Sequence, residues 1–209
     1  MNALDTYNLL LQLCEHNNPQ QLSARINTID NWDTFCKTVN TQLGKNVFRP
    51  LPLPLERATQ AGYLECVKAF EPVADVSYWN AVFEKAFEHN HSHILNYVLP
   101  KTYPQFLEDW SCARATFGDL HAIETTLPYL SEDGYQAIAY YAATHHEDGV
   151  FDFIAQHTDV DKTLDWMLKE ENLSTDEQDQ WIYNKQSQLQ RQRIEQHLTT
   201  QPARIIRKI

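Results

Sequence analysis

The polar and apolar positions of the chain follow a helical period almost throughout. Leu4, Tyr7, Leu11 and Cys14 stand three or four residues apart and share one face of a helix, as do Trp32, Phe35, Cys36, Val39 and Leu43. Strong alternating Val/Ile/Thr runs, the mark of half-buried strands, are missing. Only five glycines occur, and nine prolines act as punctuation between helices. The expected fold class is all-α.

The stretch PLERATQAGYLECVKAF, Pro54 to Phe70, shows how the helices are joined. Steps of 28 residues from Gly62 return Asn90, Gly118 and His146, each between two helical patterns. A tight helix-to-helix turn needs a residue at positive φ, which Gly adopts freely and Asn and His tolerate better than most. Four residues before each of these stand Ala58, Ala86, Arg114 and Ala142, and three before stand Thr59, Phe87, Ala115 and Ala143. Small residues there let two helices approach closely; Arg114 and Phe87 break the rule. Five after come Val67, Leu95, Ile123 and Phe151, and eight after come Phe70, Val98, Thr126 and Ile154, on one face of the second helix with Thr126 the exception. The pattern is a fourfold helix–turn–helix repeat.

Pro54-Leu55, Ala58, Gly62-Tyr63-Leu64 and Val67 resemble the ankyrin pattern T-P-L-H-x-A-A-x-x-G-H-x-x-x-V-x-x-L-L. Ala86 with Asn90-His91, Ala115 with Gly118-Asp119-Leu120, and Ala142-Ala143 with His146 fit the same register more loosely. The resemblance spans about residues 51–157 and implies a right-handed helical solenoid of helix–turn–helix repeats with helical caps, built for recognition without catalysis. Ankyrin repeats run 33 residues with a β-turn segment before each helix pair, so a 28-residue unit is expected to lack the projecting hairpin. A stack of helical hairpins unrelated to ankyrin is the alternative.

The expected organisation is an N-terminal helical cap over 1–46, four repeats over 47–157, a C-terminal helical cap over 158–200 and a flexible basic tail over 201–209. Gly44 is expected to close the third helix, and FRPLPLP to link the cap to the first repeat. Leu164, Trp166, Met167 and Leu168 suggest a fifth first helix. Ser174 and Glu177 then form a capping box before a long polar helix over about 175–198. That helix carries only Trp181, Ile182, Leu189, Ile194 and Leu198 as apolar residues, so its first half is expected to pack and its Gln-rich second half to project.

Charge narrows the partners. The formal net charge is −11; residues 1–180 hold 11 basic against 27 acidic side chains, whereas residues 181–209 hold six basic residues against Glu195 alone. An acidic body repels phosphate backbones, so nucleic acid is not expected as a partner. No apolar run approaches the roughly 20 residues that cross a bilayer, and MNALDTYNLL lacks the basic head and cleavage site of a secretory signal. Cys14, Cys36, Cys66 and Cys112 are widely spaced without a CxxC pair, which reads as four free thiols in a reducing compartment.

Residues that could carry chemistry are few. His89, His91 and His93 form HxHxH, and His145-His146 occupy the equivalent turn two repeats later. Alternate residues at a helix start do not converge on one ion, so no metal is expected; His91 also stands where ankyrin repeats place a structural turn histidine. Glu108-Asp109, Glu132-Asp133, Glu147-Asp148 and Glu170-Glu171 suit helix starts and solvated faces. There is no P-loop, GxGxxG or GxSxG. Neither a cofactor nor catalysis is expected, with an enzyme of unfamiliar site as an alternative.

Tyr140 and Tyr141 lie six and five positions before His146, where the other repeats carry Glu56 and Arg57, Glu84 and Lys85, and Cys112 and Ala113; two positions before the turn residue stand Gln60, Glu88, Thr116 and Thr144. In an ankyrin-like array these positions line a concave face. Tyr140, Tyr141, Glu84, Glu88 and Arg57 are therefore the expected protein-binding residues, tyrosine bringing large area at small entropic cost. The alternative is that one tyrosine is core and the other merely exposed. The expected function is protein–protein interaction, in a chain whose size and richness in Asn, Gln and His resemble those of effectors secreted by intracellular bacteria. Its compartment would be the cytoplasm or a host cell cytosol. An acidic inhibitor or immunity-type protein that blocks an enzyme is the alternative function, and oligomeric state has no sequence signal.

Overall fold

The computed structural model describes residues 2–43, 53–159, 162–164 and 176–200, and among them every regular element is a helix. Gly44, most of the FRPLPLP link, Trp166, Met167, Leu168, Ser174, the tail 201–209 and the side chains of Glu177, Ile182 and Leu198 lie outside the described residues. The helices fall into two compact units, Met1–Phe106 and Leu107–Ile209.

The first unit holds α1 (Ala3–Glu15), α2 (Pro19–Ile26), α3 (Trp32–Gln42), α4 (Leu53–Gln60), α5 (Leu64–Lys68), α6 (Val76–Glu88) and α7 (Ser92–Val98). Several starts are set by one side chain each. Asn2, Asn18, Asn31 and Asp75 accept a hydrogen bond from the amide three residues on, at 2.8, 3.3, 2.8 and 3.1 Å, satisfying a donor that the first helical turn leaves without a partner. α1 packs on α4 and α4 on α6, while α2 packs on α5 and α5 on α7. First helices thus form one layer and second helices another, with Leu10, Leu22, Leu55, Val67, Phe70, Phe83 and Ile94 fully buried between them. α3 lies against α1; the Trp32 indole donates to the Tyr78 hydroxyl at 3.3 Å and meets the Phe70 ring edge-on at 5.9 Å.

The second unit takes most of α8 (Pro104–Ala115), then α9 (Leu120–Thr126), α10 (Glu132–Thr144), α11 (Asp148–Ile154) and a long helix, α12 (Asp176–Thr200). Its core gathers Cys112 and Ala115, Ile123 and Leu127, Ile138, Ala139, Ala142 and Ala143, and Val150, Phe151 and Ile154, with Leu164 beside them. Trp181, in the first half of α12, packs on that core as expected; Leu189, just past the midpoint where the helix was expected to project, packs there too, while Ile194 is exposed.

One turn recurs in both units. Gly62, Asn90, Gly118 and His146 have φ of +75°, +57°, +68° and +60°, as their 28-residue spacing predicts. At each, the next amide reaches back five residues: Tyr63 to Ala58 at 2.9 Å, His91 to Ala86 at 2.9 Å, Asp119 to Arg114 at 3.2 Å and Glu147 to Ala142 at 2.8 Å. This is the Schellman closure, which satisfies carbonyls left over at a helix end. Asn17, at +49°, makes the same closure through Asn18 to Leu13 at 2.9 Å. The α1–α2 pair therefore has a turn of the same kind, concealed in sequence because α3 and the following segment set it 45 residues from Gly62.

The sequence exceptions have local explanations. Thr126, at an otherwise apolar position, is fully buried with its hydroxyl 2.7 Å from that of Ser111, itself buried where Leu55, Phe83 and Ala139 stand in the other repeats. The α8–α9 pair thus buries two hydroxyls where the other pairs bury apolar side chains; Ser111 donates to Thr126, whose own hydroxyl donates to the Ala122 carbonyl at 3.1 Å. Arg114 lies over the Trp110 ring at 4.8 Å and pairs with Asp119 at 3.7 Å. Residues 72–78, 100–104 and 128–133 form turns, short 3-10 segments and helix starts, with no hairpin.

A Cβ added at Gly62 would stand 2.9 Å from the His91 ring, and one at Gly118 would overlap the Glu147 carboxylate. Val at either position should therefore lower stability by about 1–3 kcal/mol in urea unfolding; unchanged midpoints would show that these turns tolerate branching. Thr126→Val, which leaves the Ser111 hydroxyl without that partner, should cost about 1–2 kcal/mol. Adding Ser111→Ala should recover part of the loss, and a double variant no better than the single would refute the paired reading.

Candidate functional site

Around the four 28-spaced turns, positions separate into those held by folding and those left to solvent. The residues four and five after each turn residue, Cys66-Val67, Ile94-Leu95, Ala122-Ile123 and Val150-Phe151, are all buried. By contrast, the positions five before carry Arg57, Lys85, Ala113 and Tyr141, which are exposed or half-exposed and run from two cations to a methyl group and a phenol. The scaffold fixes where these side chains stand without constraining their chemistry.

In the first unit, Arg57 is exposed on α4 and reaches Gln60 at 3.3 Å, while Gln60 donates to Glu56 at 3.2 Å. Glu15, Arg57, Gln60, Ala61 and Tyr63 line a shallow depression beside this row. Glu84 and Glu88 are exposed on α6, which packs on α4. Glu88 pairs with Lys85 at 2.7 Å, and that bond raises the affinity of the Lys85 ammonium for its proton. Tyr140 and Tyr141 belong to α10 in the second unit, edge-to-face with ring centroids 5.5 Å apart. Tyr140 is half-buried against the core, and Tyr141 is 40% exposed. The five expected residues thus form two groups, each within its own unit.

The histidines act locally. His16, His89 and His145 each stand just before a left-handed turn residue, with Nδ1 at 2.8, 3.0 and 3.0 Å from the carbonyl four residues back. A carbonyl only accepts, so each Nδ1 carries the proton and closes its own helix end. His91 and His93 instead reach the preceding turn, their Nε2–H groups donating to the Gln60 and Gly62 carbonyls at 2.9 and 2.8 Å. HxHxH is accounted for as turn chemistry. Among the described residues, no group of three or more His, Cys, Asp or Glu side chains is placed to hold a metal ion.

Three features escape sequence patterns. Phe117 stands where His16, His89 and His145 close their helices, yet it cannot donate such a bond and is 80% exposed. Aligning the residue before each turn, His16, Ala61, His89, Phe117 and His145, marks it as the one large apolar occupant. Near α6 and α7, the Lys101 ammonium lies over the Tyr97 and Trp79 rings at 4.8 and 5.6 Å and pairs with Glu71. The Tyr97 hydroxyl donates to Glu71 at 2.9 Å, and the bond from Lys101 leads in holding the Glu71 carboxyl below its usual range. The third is Lys185, 5% exposed on an otherwise polar helix.

All four cysteines are free. Burial is the leading cause of their raised pKa: Cys36 and Cys66 are pushed up to about 11, Cys112 to about 12, and Cys14 higher still. Such thiols carry little thiolate near neutrality and make poor nucleophiles. Among the described residues no helix is long and apolar enough to cross a membrane. No protein-family model, curated protein or solved structure matches the chain.

At pH 8 a thiol-specific disulfide reagent should modify the native cysteines slowly and the urea-unfolded ones at once. The sign of the pH dependence follows. Their stabilisation is fully present below the ordinary thiol pKa of 9.0 and is lost as pH rises toward the folded values, because the unfolded chain releases those protons first. Urea midpoints that do not fall between pH 8.5 and about pH 10.5 would count against this.

Proposed function

We propose that the chain is a non-enzymatic protein-binding module of the ankyrin-like, hairpin-free helical-repeat kind, a solenoid that recognises a protein partner through exposed positions on its first helices. The observation that carries this reading is the contrast between conserved-in-type turn and core positions and the dissimilar residues at the exposed ones. Repeat proteins place specificity where the scaffold does not need the side chain. Arg57, Glu84 and Glu88 supply polar contacts on the first unit, and Tyr140 and Tyr141 apolar area on the second. Phe117 adds a third aromatic there, at a position where histidine would have served the helix better.

A net charge of −11 favours a basic partner surface, and this supports a second reading, an acidic inhibitor or immunity-type protein that occludes a basic enzyme. In the first reading the chain works as an effector in a host cytosol; in the second it acts beside its target in the producing cell. Affinity capture with mass spectrometry distinguishes them by what is bound.

Against the captured partner, Tyr141→Ala and Phe117→Ala together should weaken binding by about 2–4 kcal/mol if either is a hot spot, with helicity unchanged by circular dichroism. Tyr140→Ala should cost stability as well, because that ring also packs on the core. Full-strength binding by a folded triple variant would place the interface elsewhere.

A further inference from the structure

Among the described side chains of α12, Trp181, Lys185 and Leu189 face the rest of the second unit, spaced four apart so that they share one face. Tyr183 and Ile194, on the opposite face, are 57% and 59% exposed. The middle of the strip is a buried cation. Lys185 Nζ lies 2.9 Å from Asp148 and 2.8 Å from Asp152, which stand one turn apart on α11. It is also flanked by the Phe151 ring at 5.8 Å and the Trp181 ring at 5.6 Å. The Trp181 ring in turn stands edge-on to Phe151 at 5.1 Å and near His146 at 6.3 Å.

An apolar residue at 185 would make this docking indifferent to charge. An ammonium makes it depend on two carboxylates whose side chains are 62% and 46% exposed, where water competes for the same oxygens. We propose that α12 is a releasable strap that occupies, in cis, a docking face on α10–α11. That face offers an aromatic ring, Phe151, beside two carboxylates one turn apart. Its complement is an amphipathic helix with an aromatic residue and a Lys or Arg four positions later, the arrangement α12 itself presents. A partner helix of that pattern displaces the strap, and the strap keeps weaker ligands out.

Amide hydrogen exchange on the full chain tests the catch. In Asp148→Asn/Asp152→Asn, which strands the buried ammonium, α12 amides should exchange at least about tenfold faster while α10 and α11 keep their protection. Adding Lys185→Met should restore α12. Acceleration of α10, α11 and α12 together, no acceleration, or no rescue by Lys185→Met would each overturn the proposal. Occupancy of the face is tested with a fluorescein-labelled peptide of residues 176–200. It should bind full-length Trp181→Ala/Lys185→Ala, whose own strap is weakened, at least about tenfold more tightly than it binds the wild-type chain. The same peptide with Lys185→Glu should fail to bind. Equal binding to both chains, or binding to neither, would show that α12 is an ordinary structural helix.

Discussion

Each helix pair depends on a backbone amide that reaches back five residues across its turn. The closure needs one residue in the left-handed region, and Gly62, Asn90, Gly118 and His146 supply it, with Asn17 in the first pair. Because the turn is so short, the residues just before it must be small where the second helix crosses, and those four and five after it must be apolar. The recurring burial of Ala58, Ala86 and Ala142, and of Val67, Leu95, Ile123 and Phe151, follows from that one constraint.

The turns are also where neighbouring pairs meet. His91 and His93 donate to the carbonyls of Gln60, at the end of α4, and of the turn residue Gly62, and the His91 ring occupies the space that a side chain on Gly62 would need. In the second unit the Glu147 carboxylate takes the equivalent place over Gly118. Glycine at these two sites thus answers both a dihedral and a packing requirement, whereas Asn90 and His146 answer only the first. The histidines before three of the turns, His16, His89 and His145, contribute a side-chain bond worth about 1 kcal/mol each to the helix ends.

A scaffold specified so locally leaves its exposed positions free to vary, and these are the positions the proposed recognition would use. Arg57, Lys85, Ala113 and Tyr141 share one place relative to their turns yet range from two cations to a methyl group and a phenol. The tyrosine pair illustrates the division of labour: Tyr140 is partly committed to the core, Tyr141 is not. Phe117 goes further, forgoing a helix-closing bond to present its ring to water.

The all-helical class, the turn residues with their positive φ, the faces buried after each turn and the lack of strands among the described residues were all legible in the sequence, because each is a local demand made at a constant interval. The first pair was not legible as such: Asn17 makes the same turn, but α3 intervenes and the interval is lost. Nor could spacing reveal that the Ser111 and Thr126 hydroxyls pair, since they come from two helices and meet only when α8 and α9 pack. Lys185 read as one more charge on a polar helix until the fold set Asp148, Asp152, Phe151 and Trp181 around it. Periodicity reports which face of a helix is buried. Which polar groups can share that burial is decided by partners distant in the chain, and only tertiary structure supplies them.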